Sequence, residues 1–170
     1  EGDFRVRIGM ANPNHILPIL EPLLDAFNDR RFFRFLHLPL QSGSDRVLKL
    51  MNRAYSVGDY YKICEAIYSR DSEFSIATDV IAGFPGETED DFLETLEALE
   101  RTRPAVVNRS KFGARPKTPA ALMPQHRASI ITERSARLSK LVERISLENN
   151  RRWVGRRCRV LIDIAKRKGS

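Results

Sequence analysis

The stretch that decides the fold runs from Ile76 to Glu89 and reads IATDVIAGFPGETE. Its first residues are apolar and partly β-branched, which is typical of a strand buried on both faces in a parallel sheet. A tight turn is expected at Gly83 to Gly86, and Thr88 then caps a helix that begins with three acids. This βα unit places a ligand at the carboxyl end of its strand, around Asp79 to Glu87. The alternative is a tight turn without a ligand.

The composition bounds the class of protein. The chain has 170 residues, of which 42% are hydrophobic and 30% are charged, as expected for a globular domain with a core of its own. No apolar run approaches the roughly 18 residues of a membrane span, and no secretory signal opens the chain. Cys64 and Cys158 are far apart and form no CxxC pair, so neither a disulfide framework nor a zinc site is indicated. We therefore expect a protein of the reducing cytoplasm without a membrane partner.

The positive charge is concentrated at one end of the chain. The protein contains 29 Lys and Arg against 22 Asp and Glu. Residues 151–170 hold eight of the basic residues and one acid, so residues 1–150 carry 21 of each sign. This distribution suggests a polyanion-binding appendix on a neutral body, with a tail that only aids solubility as the alternative. The first residue is not Met and the last residues begin a new strand pattern, so we expect a piece of a longer protein.

Strand and helix patterns alternate along the chain. Four short apolar stretches are predicted as strands, at 5–11, 34–40, 74–81 and 105–112. Helical patterns follow them, from Pro18 or Pro22 to Phe27, at 45–51, from Ser56 with Asp59 as capping-box partner, from Thr88 to Arg101, and at 127–150 with an apolar stripe that includes Leu147. Cys64 lies on an apolar helix face, as a core thiol does. The order indicates parallel strands in an α/β fold, either half of a doubly wound sheet or part of a (β/α) barrel.

Polar side chains follow the ends of three predicted strands. They are His37, Gln41 and Ser42, then Thr78 and Asp79, then Asn108, Ser110, Lys111 and Arg115. Gln41 and Asp79 suit a sugar, because an amide and a carboxylate each hydrogen-bond a vicinal diol. Arg53 is placed to pair a ligand carboxylate or phosphate. Each residue alone also fits a surface polar group or a helix cap, and their convergence on one edge of the sheet favours a binding site.

Three segments closely resemble the second half of the radical SAM barrel of tRNA methylthiotransferases. They are HLPLQSGSDRVLKLMNR at 37–53, IATDVIAGFPGETEDDFLETL at 76–96 and VVNRSKFGARPKTPAALM at 106–123. GMANP at 9–13 and the SKFGARP segment are most similar to the archaeal and eukaryotic branch, which modifies N6-threonylcarbamoyladenosine at position 37 of tRNA. The resemblance implies that residues 1–150 are the C-terminal part of a partial barrel with about four parallel strands. It also implies that residues 151–170, with a strand over Arg156–Ala165, begin a tRNA-binding TRAM β-barrel.

The resemblance further implies roles for individual residues. Gln41 and Asp79 would hold the ribose of S-adenosyl-L-methionine (SAM), and Arg53 its carboxylate. The remaining cofactor-binding residues would be Ser42, Ile81, Gly83, Pro85, Lys111 and Phe112, and the substrate-binding residues Arg115, Arg156 and Arg157.

Two departures from the family pattern limit these expectations. The family uses SAM radical chemistry with two [4Fe–4S] clusters, whose cysteines come earlier in the chain than the segments matched here. Cys64 and Cys158 match neither set, so we expect this chain alone to ligate no cluster, to contain no catalytic residue and to be inactive. Lys117 stands where the pattern reads RPGTP. If that glycine takes a positive φ, the turn is altered.

Three other functions and one assembly are weighed against this interpretation. A ribosomal-protein methylthiotransferase shares the barrel, although the basic tail favours RNA. A non-catalytic RNA-binding α/β module would bind tRNA with a steep salt dependence and no SAM affinity. A phosphate-binding barrel enzyme would need a glycine-rich phosphate loop that is not evident. A barrel without its first strands would expose residues 5–11 as an edge strand, so we expect an edge-to-edge or swapped dimer.

Overall fold

The computed structural model describes residues 4–157, and these contain one parallel sheet of three strands. The strands are β1 (Phe35–His37), β2 (Ser75–Ala82) and β3 (Val106–Lys111), with β2 in the centre. The helices are α1 (Pro13–Ile16), α2 (Leu20–Ala26), α3 (Asp45–Leu50), α4 (Val57–Arg70), α5 (Glu89–Thr102), α6 (Pro119–Leu122) and α7 (Ala128–Arg151), with a 3₁₀ turn at Leu17–Ile19. The α/β class and the alternation of strands and helices are confirmed.

The strand predicted at 5–11, the first of the four in chain order, is not formed. This segment makes two isolated parallel bridges, from Val6 to Phe32 and from Met10 to His37. β1 has only three residues, so it offers little length for a further strand to pair along. The predicted dimer depended on a regular edge strand in this segment, and the structure does not support it.

Helix starts follow the capping signals of the sequence. Ser56 caps α4, accepting a hydrogen bond from the Asp59 amide at 3.1 Å while the Asp59 carboxylate accepts from the Ser56 amide at 3.0 Å. Thr88 caps α5 in the same reciprocal way with Asp91. Each capping box satisfies amides that the helix itself leaves without partners. The α5 cap therefore sets the point at which the chain leaves the glycine turn.

The core lies between the sheet and the helices that cover it. Fully buried side chains include Leu36 and Ile76 from the sheet and Phe92 and Leu138 from the helices. Each contributes roughly 1.5–3 kcal/mol by leaving water. Cys64 is buried in this core, as predicted, and burial raises the pKa of its thiol to about 12.

The predicted apolar stripe of α7 is only partly correct. Its central residues are buried, but Leu147 is 54% exposed. Leu147 follows Ile145 by two residues, about 200° round the helix, so it faces away from the core. No helix among residues 4–157 is long and apolar enough to cross a membrane.

Candidate binding cleft

An open cleft of about 1020 Å³ lies at the carboxyl ends of the three strands. The residues after β1, the last part of β2 and the loop after β3 all line it, together with the segment that leads into α1. Seven of the predicted binding residues line this cleft, namely Gln41, Arg53, Asp79, Ile81, Lys111, Phe112 and Arg115. The parallel sheet therefore brings together the strand ends that the sequence singled out.

Asp79 is held between the two neighbouring strands. Asn108 of β3 donates Nδ2 to Oδ1 of Asp79 at 2.8 Å, and His37 Nε2 of β1 lies 2.9 Å from Oδ2. The side chain of Asp79 is 24% exposed, so the carboxylate still reaches the cleft. Its oxygens keep lone pairs that can accept ligand hydroxyls. The sequence marked all three residues as strand-end polar groups but did not predict that they contact one another.

Gln41 adopts a left-handed backbone conformation with φ 69°. Its backbone amide donates to the backbone carbonyl of Asp79 at 2.8 Å, and its backbone carbonyl accepts from the backbone amide of Ile81 at 3.0 Å. A positive φ in a residue other than glycine costs about 1–2 kcal/mol, and these two bonds to β2 maintain it. Such conformations are frequent at binding sites. Here the bend brings Gln41 back to β2 beside Asp79.

Arg53 enters the cleft from the loop after α3. Its amide donates to the Leu48 carbonyl at 2.9 Å, and the buried Tyr55 nearby donates its hydroxyl to the carbonyls of Pro39 and Leu40 at 3.2 Å. Burial raises the pKa of Tyr55 to about 12. The Nε of Arg53 is buried and has no hydrogen-bond partner in the described protein. Arg53 lines the cleft and carries a positive charge, so this position suits an anionic ligand.

Ser42 lies outside the lining of the cleft. It is fully buried, with its hydroxyl 3.3 Å from that of Thr95 on α5. The next residue, Gly43, donates its amide to the same Thr95 hydroxyl at 2.8 Å. A Cβ on Gly43 would lie 2.5 Å from the Thr95 Cα, so the loop approaches α5 as closely as only glycine allows. Ser42 supports the loop that carries Gln41.

Asp91 joins the loop after β1 to the glycine turn after β2. Its carboxylate accepts from Ser44 Oγ at 2.7 Å and from Arg46, while Arg46 Nη2 also donates to the Gly86 carbonyl at 2.6 Å. Burial alone would raise the pKa of Asp91, but the hydrogen bonds from Arg46, Ser44 and Thr88 outweigh it and hold this pKa below its usual range. The sequence predicted Asp91 only as a favourable charge at the start of a helix.

The glycine turn is held against α7. Gly83 has φ 78°, and a Cβ there would lie 2.7 Å from Ile131 of α7. Glu87 Oε2 accepts from the Gly83 amide at 2.9 Å and from Arg134 Nη1 at 2.7 Å. Burial raises the pKa of Glu87, against the lowering effects of the Gly83 amide and Arg134. Gly83 and Pro85 are both buried in this turn, and neither of them lines the cleft.

The Glu87–Arg134 pair was missed in the sequence. The signal that could have found it is a charged residue on an apolar stripe, because Arg134 precedes the buried Leu138 by four residues. A charge in that position requires a buried partner. The sequence alone does not say which acid supplies it.

The loop after β3 presents Arg115 through a closed turn. The Arg115 carbonyl accepts from the Thr118 amide at 3.3 Å and from the Thr118 hydroxyl at 2.8 Å. Lys117 has φ 65°, so the position does take the conformation that glycine favours, and lysine tolerates it. Within residues 4–157 the guanidinium of Arg115 makes no hydrogen bond or ion pair, whereas Lys111 Nζ lies 3.4 Å from Thr132 Oγ1.

Arg156 and Arg157 lie away from the cleft. Arg156 pairs with Glu73, in the loop that leads into the amino end of β2, and its guanidinium is 5.3 Å from the ring centre of Trp153. Both arginines are exposed. The structure does not describe residues 158–170. These include Cys158 and most of the strand predicted over 156–165. The TRAM assignment and the boundary at residue 150 stay predictions.

Metal-ligating side chains are scattered in the described part of the chain. Among residues 4–157, no group of three or more His, Cys, Asp or Glu is arranged to hold a metal ion. The free Cys64 is buried in the core. The cleft itself is lined by one acid, Asp79, and three cations, Arg53, Lys111 and Arg115.

The sequence is similar to those of known tRNA-modifying enzymes. The chain is 43% identical to a probable threonylcarbamoyladenosine tRNA methylthiotransferase of Archaeoglobus fulgidus, over 95% of its own length and 38% of the relative. It is 40% identical to a tRNA-2-methylthio-N(6)-dimethylallyladenosine synthase of Tropheryma whipplei, over 96% of its own length and 35% of the relative. The chain therefore spans less than two-fifths of either relative.

The fold itself matches a solved structure. Coproporphyrinogen III oxidase from Escherichia coli superposes with a TM-score of 0.66 and 18% identity, over 83% of this chain and 32% of the oxidase. At that identity the likeness concerns the fold alone, and it agrees with a partial barrel. The sequence model of the radical SAM superfamily matches residues 6–99, more than half of the chain. The chain belongs to the radical SAM superfamily.

Proposed function

We propose that this chain is the SAM-binding part of a cytoplasmic tRNA methylthiotransferase that modifies C2 of N6-threonylcarbamoyladenosine. The observation that carries the proposal is Asp79, fixed between His37 and Asn108 at 2.9 and 2.8 Å and facing a cleft shared with Gln41 and Arg53. The superfamily match and the relatives' names support the reaction class.

The lining of the cleft fits SAM group by group. The Asp79 carboxylate and the Gln41 amide would hold the ribose diol. Arg53, whose buried Nε has no partner among the described residues, would pair the carboxylate of the methionine part. Ile81 and Phe112 supply apolar surface at the strand ends, which would pack on the adenine and keep water from the site.

SAM would supply the radical and the methyl group of the reaction. This chain's own side chains would orient it, because the cleft presents fixed polar groups on a rigid sheet edge. The two [4Fe–4S] clusters that the family uses would be held by cysteines outside this chain, since thiolates are the usual ligands of such clusters. We expect this chain by itself to be inactive.

The names of the relatives include two tRNA nucleosides, and the charge of the cleft favours one of them. Threonylcarbamoyladenosine carries a carboxylate, whereas dimethylallyladenosine carries an uncharged hydrocarbon. With Arg53 paired to the SAM carboxylate, Lys111 and Arg115 remain as cations of the cleft, and they favour the nucleoside that carries a carboxylate. The basic stretch after residue 150, of which Arg156 and Arg157 are described and exposed, would add affinity for the tRNA backbone.

The test is nucleoside analysis with the full-length protein. After anaerobic reconstitution with iron and sulfide, it is incubated with SAM and a reductant in separate reactions that contain tRNA with threonylcarbamoyladenosine, tRNA with dimethylallyladenosine, or ribosomes. We expect a methylthio group on that nucleoside by mass spectrometry. Modification of dimethylallyladenosine instead would contradict the proposed substrate. Assembled clusters with unmodified tRNA, and a methylthiolated ribosomal protein, would replace tRNA by that protein as the substrate.

A further inference from the structure

Asn12 lines the cleft beside the start of α1. Asparagine in the position before a helix ordinarily caps it, accepting a hydrogen bond from an amide of the first turn. Here the Asn12 carbonyl accepts from the His15 and Ile16 amides at 3.0 and 3.2 Å, but its side chain makes no capping bond. The amide group of the side chain is therefore not used by the helix.

The side-chain oxygen of Asn12 is buried and unpaired. No residue of the described chain donates a hydrogen bond to its Oδ1. A buried acceptor without a donor is costly, so such an atom calls for a partner outside the described protein atoms. The oxygen itself has almost no accessible surface, but Asn12 is partly exposed and borders the cleft, so rotation of its side-chain amide toward a bound molecule would give the oxygen that partner.

The backbone around Asn12 is fixed. The amide of the preceding residue, Ala11, donates to the His37 carbonyl at 2.8 Å, and His37 in turn contacts Asp79. Asn12 is therefore tied to the same strand end that positions the predicted ribose-binding carboxylate. The bond fixes the backbone position of Asn12 at the edge of the cleft, while its side chain makes no capping bond to the helix.

We propose that Asn12 is a specificity-determining residue that hydrogen-bonds the polar part of the N6 substituent of the target adenosine. This inference rests on the proposed function. The threonylcarbamoyl group offers N–H and hydroxyl donors to Oδ1 and a carbonyl acceptor to Nδ2, which matches the amide of asparagine. A dimethylallyl group offers neither, so it would leave the Asn12 oxygen buried and unpaired. A site built to hydrogen-bond its substrate rejects an analogue without those groups.

The experiment measures binding of three RNA hairpins to the full-length protein by fluorescence anisotropy. The hairpins are identical anticodon stem-loops that carry threonylcarbamoyladenosine, dimethylallyladenosine or unmodified adenosine at position 37. We expect the wild-type protein to bind the threonylcarbamoyl hairpin roughly 10-fold or more tighter than the dimethylallyl hairpin. In Asn12→Leu, which is similar in size but apolar, we expect this ratio to fall to about 1.

Asn14 provides a matched control. It lies two residues further along, also has a buried Oδ1 without a partner in the described chain, and does not border the cleft. Asn14→Leu should keep the wild-type ratio. Should Asn12→Leu fail to fold, Asn12→Ala removes the same amide from a smaller side chain, and thermal melting checks both variants.

The outcomes separate this inference from the proposed function. An unchanged ratio in a folded Asn12 variant overturns the role of Asn12, while the wild-type preference for the threonylcarbamoyl hairpin still supports the proposed substrate. A wild-type protein that prefers the dimethylallyl hairpin overturns both. Equal losses in the Asn12 and Asn14 variants would assign the effect to the fold of α1 and would also overturn the inference.

Discussion

Arg134 of α7 donates Nη1 to Oε2 of Glu87 at 2.7 Å, with side-chain exposures of 6% and 0%. Arg134 also donates to the Glu87 carbonyl at 3.0 Å, so the helix holds both the side chain and the backbone of the turn. Glu87 in turn binds the Gly83 amide at 2.9 Å. Glu87 and Arg134 are separated by 47 positions in the sequence. Their contact fixes the shape of the loop that follows β2, beside the cleft.

Removing the arginine should expose the cost of this buried charge. We expect Arg134→Met to lower the free energy of unfolding by about 3–5 kcal/mol, because Glu87 is left buried without its cation. Urea unfolding measures the loss. Arg137→Met is the control, since Arg137 is 36% exposed and pairs with Glu89 on the surface, where such pairs contribute about 0–1 kcal/mol. Similar losses in both variants would show that the buried pair is not special.

Asp91 should make the fold sensitive to acid. Its pKa in the folded protein lies below the ordinary value of 3.8, so folding favours the ionised carboxylate. The stabilisation is present above about pH 4 and is lost as the pH falls toward the folded pKa, where Asp91 becomes protonated in the native state as well.

The variant Asp91→Asn should remove this part of the pH dependence. We expect it to lower the free energy of unfolding by about 2–3 kcal/mol at pH 7, because charge-assisted hydrogen bonds from Arg46 and Ser44 are weakened. Below pH 4 the difference from the wild type should shrink. Urea unfolding between pH 2.5 and 7 measures it, with Asp90→Asn at the neighbouring exposed acid as control. A difference independent of pH would refute the role of the ionised carboxylate.

Gly43 should tolerate no side chain. A Cβ there would lie 2.4 Å from the Glu94 carbonyl oxygen and 2.5 Å from the Thr95 Cα, and both are backbone atoms of α5 that cannot turn away. We expect Gly43→Ala to cost about 1–3 kcal/mol or more, by overpacking. Gly58→Ala is the matched control, since its nearest atom would be Ser56 Oγ at 3.6 Å, and alanine should stabilise α4 slightly. Equal thermal stability of the two variants would contradict the close approach.

Lys117 should be improved by glycine. At φ 65° a lysine is strained by about 1–2 kcal/mol, while glycine loses roughly 0.5–1 kcal/mol more conformational entropy on folding. We therefore expect Lys117→Gly to raise the free energy of unfolding by up to about 1.5 kcal/mol. Lys117→Val, which is β-branched, should lower it. If chemical denaturation ranked valine above glycine, the left-handed conformation at this position would be wrong.

The sequence predicted what depends on local signals and less of what depends on distant partners. Capping at Ser56 and Thr88 was readable because each cap lies within three residues of its partner. Gln41 and Asp79 could be placed at the same edge because parallel strands align their carboxyl ends. The prediction of a strand at 5–11 was wrong. An extended apolar pattern does not reveal whether a neighbouring strand long enough to pair with is present.

Contacts between elements were the main omission. Parallel register puts Asn108 opposite Asp79, but the register was not known from the sequence. The contacts of Glu87 and Asp91 depend on how α7 and the loop after β1 pack on the glycine turn. Those contacts are set by tertiary structure rather than by periodicity.

The most direct test of the account is a calorimetric titration of SAM into the full-length protein, wild type and Asp79→Asn. Asparagine keeps the shape of the side chain but replaces a charged acceptor by an amide that holds the ribose diol less strongly. We expect SAM to bind the wild type and to bind the variant roughly 10-fold or more weakly, with Asp90→Asn unchanged. Equal affinity of the wild type and Asp79→Asn for SAM would contradict the assignment of this cleft.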